Sequence, residues 1–111
     1  MWIDSDKQLV ESRNVDTWQL PVVNQAGEYF GNVTAQIVQP SACMVRYFKV
    51  YSSDTNRHFL LPSDTVFSID DKVYCNVDSD RVAQLPEFNE EINREKEMEI
   101  YRIISKKPYW E

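Results

Sequence analysis

The sequence predicts a mainly β protein, a small β-barrel of about six short strands with a C-terminal helix. Three observations predict it. Apolar and polar residues alternate with period two through residues 32–37. Short apolar runs are separated at close intervals by turn-forming residues: Gly27, Gly31, Pro40-Ser41, residues 52–56, Pro62 and Asp70-Asp71. Residues 93–104 instead space their apolar side chains three and four apart, which is helical spacing. A chain of 111 residues fits one domain. At that size, closing the sheet is the usual way to remove its edges.

The elements follow in order. Residues 1–16 are polar with scattered apolar positions and read as an N-terminal leader, in which Leu9 and Val10 open a short helix or an edge strand. Residues 18–23 read as a first strand, and Pro21, which has no N–H to donate, places it at an edge or a bulge. Both glycines of the chain follow, marking a tight turn at Gly27 and a kink at Gly31. In the next strand Val33, Ala35 and Ile37 face one side, with Asn32, Thr34 and Gln36 on the other. Residues 44–51 are apolar on both faces, with Arg46 on one and Lys49 on the other, as in an interior strand. A polar hairpin loop, 52–56, leads to a strand at 58–61 that Pro62 stops. Residues 66–69 and 72–77 form another hairpin around Asp70-Asp71. Asp78 caps a helical turn over 79–84. Asn93 caps the last helix, in which Met98, Ile100, Tyr101 and Ile104 are placed to share a face. The barrel is expected over 17–88, with the helix and an aromatic tail, 89–111, packed on it.

Composition bounds the function. The net charge is −6, and the 12 basic residues are scattered among acids. Phosphate-rich partners need clustered Lys and Arg, so nucleic acid and anionic membranes are disfavoured. No stretch is long enough to span a bilayer, and residues 1–7 lack the apolar core of a signal peptide. A cytoplasmic location is expected. The two cysteines, Cys43 and Cys75, fall in predicted strands and read as small buried hydrophobes.

Several segments resemble the PRC-barrel family, over about residues 17–110. Residues 27–33, Gly-Glu-Tyr-Phe-Gly-Asn-Val, resemble its opening element. Arg46-Tyr47-Phe48-Lys49-Val50 resembles its central strand. Phe59-Leu60-Leu61-Pro62 resembles its proline-ended strand, and residues 72–77 its last barrel strand. Leu85-Pro86-Glu87-Phe88, Ile92-Asn93-Arg94-Glu95 and Pro108-Tyr109-Trp110 resemble the tail of a stand-alone bacterial branch. The resemblance implies a small barrel with a binding or assembly role. Family members include the cytoplasmic part of the photosynthetic reaction-centre H subunit and a domain of a ribosome-maturation factor. Neither the membrane helix of the first nor the RNA-processing domain of the second is found in these 111 residues.

No set of residues carries recognisable chemistry. His58, the only histidine, has Asp54 and Asp64 as its nearest oxygen candidates in sequence, whereas catalytic zinc asks for about three protein ligands. Cys43 or Cys75 as a nucleophile would need His58 as its base. The acidic pairs Asp70-Asp71, Asp78/Asp80 and Glu90-Glu91 sit on turns or helix surfaces, where carboxylates are solvated. No catalytic residue, metal or cofactor is therefore assigned. The expected function is a non-enzymatic module that binds another protein, with a homo-oligomer as one form. An RNA-processing or ribosome-assembly factor is the alternative, and it needs a contiguous basic patch from Arg46, Lys49, Arg57 and Arg81. Tyr101 is expected to cap the barrel. Tyr109, Trp110 and Trp2 are the candidate interaction residues; for the first two, capping the barrel and inserting into a partner both stay open.

Overall fold

The computed structural model describes residues 9–12, 17–89 and 92–111, and of Val10 and Ser12 only the backbone. The strands are β1 (Val10–Ser12), β2 (Pro21–Asn24), β3 (Tyr29–Gln39), β4 (Met44–Ser52), β5 (Arg57–Pro62), β6 (Val66–Ile69) and β7 (Val73–Cys75). The helices are α1 (Ser79–Gln84) and α2 (Arg94–Ile104). Six strands lie in the order β5-β4-β3-β2-β7-β6, and β1 pairs with β3 beside β2. All ladders are antiparallel except β2–β7.

The alternating segment is the spine. Phe30, Val33, Ala35 and Ile37 of β3 face the core, and β4 borders its whole second half. Two register shifts, between Val33 and Ala35 and between Ile37 and Val38, let the long strand bend. Its other edge carries β2 at the start and β1 at the end. Residues 9–12, within the expected leader, are thus built into the sheet, and Leu9 is buried.

The first strand is shorter than the sequence suggests. Residues 17–19 form a turn, with Leu20 N–H donating to the Thr17 carbonyl and Gln19 in the left-handed region (φ 68°). Regular pairing begins only at Pro21, and the register shifts between Val22 and Val23. Cys43 also departs from expectation. Pro40–Ala42 form a 3-10 turn, which leaves Cys43 exposed at φ 52° instead of buried in a strand. Cys75 is buried as expected, and both thiols are free.

The sheet curls without closing by a ladder: β5 and β6 form its two ends. Pro62 ends β5, and a 3-10 turn, Ser63–Thr65, crosses the gap. Ser63 Oγ donates to the Val45 carbonyl at 2.7 Å, and Asn76 N–H donates to the Thr65 carbonyl at 3.0 Å. Side-chain and turn contacts thus stand where the expected closure needed strand pairing. The edge of β5 is covered by the chain after α1, where Phe88 N–H donates to the His58 carbonyl at 2.8 Å. Among the described residues no strand pairs with the outer edge of β6, where Phe67 and Ile69 are about half exposed.

Both helices are capped as predicted. Asp78 accepts from Arg81 N–H at 2.9 Å and Asn93 from Lys96 N–H at 2.9 Å. Arg57 donates to the carbonyls of Val82 and Leu85, holding the end of α1. The buried face of α2 is Glu97, Ile100, Tyr101 and Ile104. Met98 is not on it, and is 55 % exposed. Successive helical residues turn by about 100°, which carries Met98 off the stripe that starts one residue earlier at Glu97.

Candidate functional site

The densest set of polar and aromatic side chains lies where α2 and the tail meet β4. β4 alternates inward at Tyr47, and the first turn of α2 brings Glu97 opposite it. Both are fully buried. Tyr47 Oη donates to Glu97 Oε2 at 2.7 Å, and Tyr109 Oη donates to the same oxygen at 2.8 Å. Arg94 Nε lies 3.8 Å from Glu97 Oε1, one helical turn back. Tyr101 Oη donates to Asp64 at 3.0 Å, tying α2 to the 3-10 turn after β5. An acidic side chain on the core face of α2 is the feature that periodicity alone misses, because Glu97 reads as part of a solvated charge run.

The aromatic rings close the cluster. Tyr101 meets Tyr47 edge-on at 6.4 Å, Trp110 edge-on at 5.7 Å and Tyr109 tilted at 6.1 Å. Arg46, oriented by its bond to Gln39 Oε1, stands 4.1 Å over the Tyr109 ring. Arg94 stands 3.9 Å over the Trp110 ring. The fold thus brings Tyr101, Tyr109 and Trp110 together, with the last two half-buried on their own chain. Trp2 lies outside the described residues, as do Glu90 and Glu91.

Burial, followed by the Glu97 carboxyl, pushes the Tyr47 and Tyr109 phenols above the usual tyrosine range. Arg94 and Arg46 partly offset this at Tyr109. Burial, followed by Asp64, does the same to Tyr101. An unfolded tyrosine ionises near pH 10. Above that, the unfolded chain releases protons that the fold retains, so stability falls as pH rises, by about 1.4 kcal/mol per pH unit for each sealed tyrosine. Tyr47 and Tyr101 are sealed; half-buried Tyr109 contributes less. Below about pH 9 the three add no pH dependence. Denaturant midpoints measured at intervals from about pH 8 to 11 should therefore fall steeply past pH 10, and less steeply in Tyr47→Phe. An equal fall past pH 10 in the wild type and in Tyr47→Phe would contradict this account.

The other candidates stay apart. The His58 ring lies against Tyr51 at 4.8 Å. Asp64 is taken by Tyr101. Among the described residues, no three His, Cys, Asp or Glu side chains come together as a metal-binding group. Burial raises the Cys75 thiol, which keeps it protonated. The four basic residues of the expected patch each have a separate partner. Arg46 covers Tyr109, Lys49 lies 3.6 Å from Glu11, Arg57 clamps α1 and Arg81 donates to the Ile104 carbonyl.

A second feature lies on the outer face of the sheet. Phe67 packs on Tyr74 at 6.2 Å; Tyr74 pairs with Val23, and Val23 with Tyr29. The Tyr29 hydroxyl bonds Asn32 Oδ1, and Trp18, Asn32 and Tyr51 line a shallow hollow beside it. Trp18 is 47 %, Tyr29 50 % and Phe67 55 % exposed; Ile69, 45 % exposed at the same edge, pairs with buried Val73 and so lies on the other face of β6. In the sequence these residues look like strand formers, and only the strand order brings them together.

The model of the PRC-barrel domain matches residues 14–82. The chain belongs to the PRC-barrel family. The matched span takes in β2–β7 and most of α1, so the PRC barrel is the curled sheet itself. The Tyr109–Trp110 tail and α2 lie beyond it. No curated protein matches the chain. PRC-barrel domains are in general small, non-catalytic binding or assembly modules, which fits a site built of filled aromatic contacts. Among the described residues, no helix is long and apolar enough to cross a membrane.

Proposed function

We propose that this PRC-barrel chain is a non-enzymatic module that assembles complexes by protein–protein contact and pairs with a second copy of itself. The open edge of β6, with Phe67 and Ile69 half exposed, carries this reading. An edge strand is self-complementary: two copies can pair antiparallel around a two-fold axis. The exposed parts of Trp18, Tyr29, Phe67 and Ile69 offer roughly 400 Å² of apolar surface. That is about the apolar half of the 800 Å² each partner buries in a standard interface. The family membership and the tail after Leu85 support placing the chain with stand-alone PRC-barrel proteins. Two free thiols support a reducing, cytoplasmic setting. The RNA-processing alternative is weakened, because Arg46, Lys49, Arg57 and Arg81 are each engaged with a different internal partner.

Sedimentation tests the pairing. The wild-type chain should sediment as a dimer, and Phe67→Lys/Ile69→Lys as a folded monomer, since lysines on an edge block pairing. Because both sites are exposed, stability should change by no more than about 1 kcal/mol. Equal masses for the two chains would refute the pairing.

A further inference from the structure

The tail contacts show a cleft and its occupant separately. The walls of the cleft come from β4 and α2: Tyr47 and Arg94 hold Glu97, Gln39 holds Arg46, and Asp64 holds Tyr101. None of these pairs needs residues 107–111. The occupant is the Tyr109–Trp110 pair. One phenol bonds the buried carboxyl, each ring takes one guanidinium, and both rings pack on Tyr101.

The tail is tethered only loosely. The α2 cap ends with Lys106 N–H donating to the Tyr101 carbonyl, and Ser105 lies at φ 58°. Among the described residues, the only backbone hydrogen bond formed by residues 107–111 is internal, from Glu111 N–H to the Pro108 carbonyl. Lys106 and Lys107 are exposed. An open groove of about 760 Å³ flanks the segment, lined by residues including Met98, Arg102 and Pro108. Side chains therefore seat the tail while its backbone is free to leave. Residues 107–110, fully extended, reach roughly 13 Å.

We propose that this cleft is a docking site for an aromatic C-terminal segment, and that the tail of a second copy enters it in trans, exchanging with the chain's own. Exchange of an identical element preserves every contact, so it links two chains at little cost. Within one chain, the tether keeps the tail at high effective concentration and closes the cleft to others. The proposal rests on the reading that the chain pairs with itself, but uses a different surface from β6.

The test uses the 111-residue chain with Tyr109→Ala/Trp110→Ala, which empties the cleft, and a fluorescent peptide of residues 106–111. Anisotropy should show saturable, one-to-one binding to this variant and at least about tenfold weaker binding to the wild-type chain, whose own tail competes. A peptide with Phe in place of its tyrosine should bind about tenfold more weakly, having lost its bond to Glu97. If the variant is too unstable to titrate, the native peptide should raise its melting temperature and the Phe peptide should raise it less. A folded variant that ignores the peptide, or an unstable one that the peptide does not rescue, overturns the proposal. A wild-type dimer that Phe67→Lys/Ile69→Lys leaves intact and Tyr109→Ala/Trp110→Ala dissolves loses the β6 pairing and keeps the exchange; a chain that stays monomeric at every concentration loses both.

Discussion

Gly31→Ala is expected to destabilise the protein by about 3–4 kcal/mol, a large share of the total stability of a domain this size. Gly31 lies at φ 146°, where side chains are strained, and β3 is pressed there against β4. A Cβ would sit 2.3 Å from the Tyr51 carbonyl oxygen and 2.9 Å from Val50 Cγ1. The first obstacle is backbone in a paired strand, so relief requires moving β3 off β4. Gly27 provides the internal control. It also has a positive φ, 82°, but a Cβ there would meet nothing within 4 Å. Gly27→Ala should cost only about 1–2 kcal/mol, the strain of the left-handed backbone. Urea midpoints for the two variants decide it, and equal losses would show that the close approach to β4 carries no weight.

Glu97→Ala is expected to cost about 3–4 kcal/mol. It removes the acceptor of the Tyr47 hydroxyl in a site with no water contact, and that of the Tyr109 hydroxyl as well. It also leaves a hole in a packed cluster. Glu97→Gln keeps the shape and one accepting oxygen, and should cost about 1 kcal/mol. Calorimetry on both variants separates lost hydrogen bonding from lost packing. A Glu97→Ala chain within about 1 kcal/mol of wild type would mean that the carboxyl is not the centre of the cluster.

The sequence carries the local structure well and the long-range structure poorly, for physical reasons. Alternation at 32–37, the caps at Asp78 and Asn93, and the glycine kink at Gly31 are set by neighbours within a few residues, so they can be read directly. The turn at 17–19 cannot, because Trp18-Gln19-Leu20 has strand-like composition and only its contacts with Val33 fix a left-handed Gln19. The family resemblance spans about residues 17–110; the domain match, over 14–82, supports its β-rich part and stops short of the tail segments from Leu85 onward. The cluster around Glu97 was half legible. Tyr101, Tyr109 and Trp110 stand out as aromatics, but Glu97 gains meaning only when Tyr47, fifty residues earlier in the chain, arrives opposite it. The aromatic outer face was illegible, because its members come from four separate strands and the turn before them.

The parallel ladder between β2 and β7 also sets an order of events as the chain folds. β3, β4 and β5 are joined by short turns and can zip together as they emerge. β2 pairs with β3 early, but its second neighbour lies about fifty residues downstream, where Val22 meets Val73. During synthesis, one side of β2 must therefore wait, unpaired, until most of the sheet has been made. That seam is where a partly made chain is most open to the wrong partner.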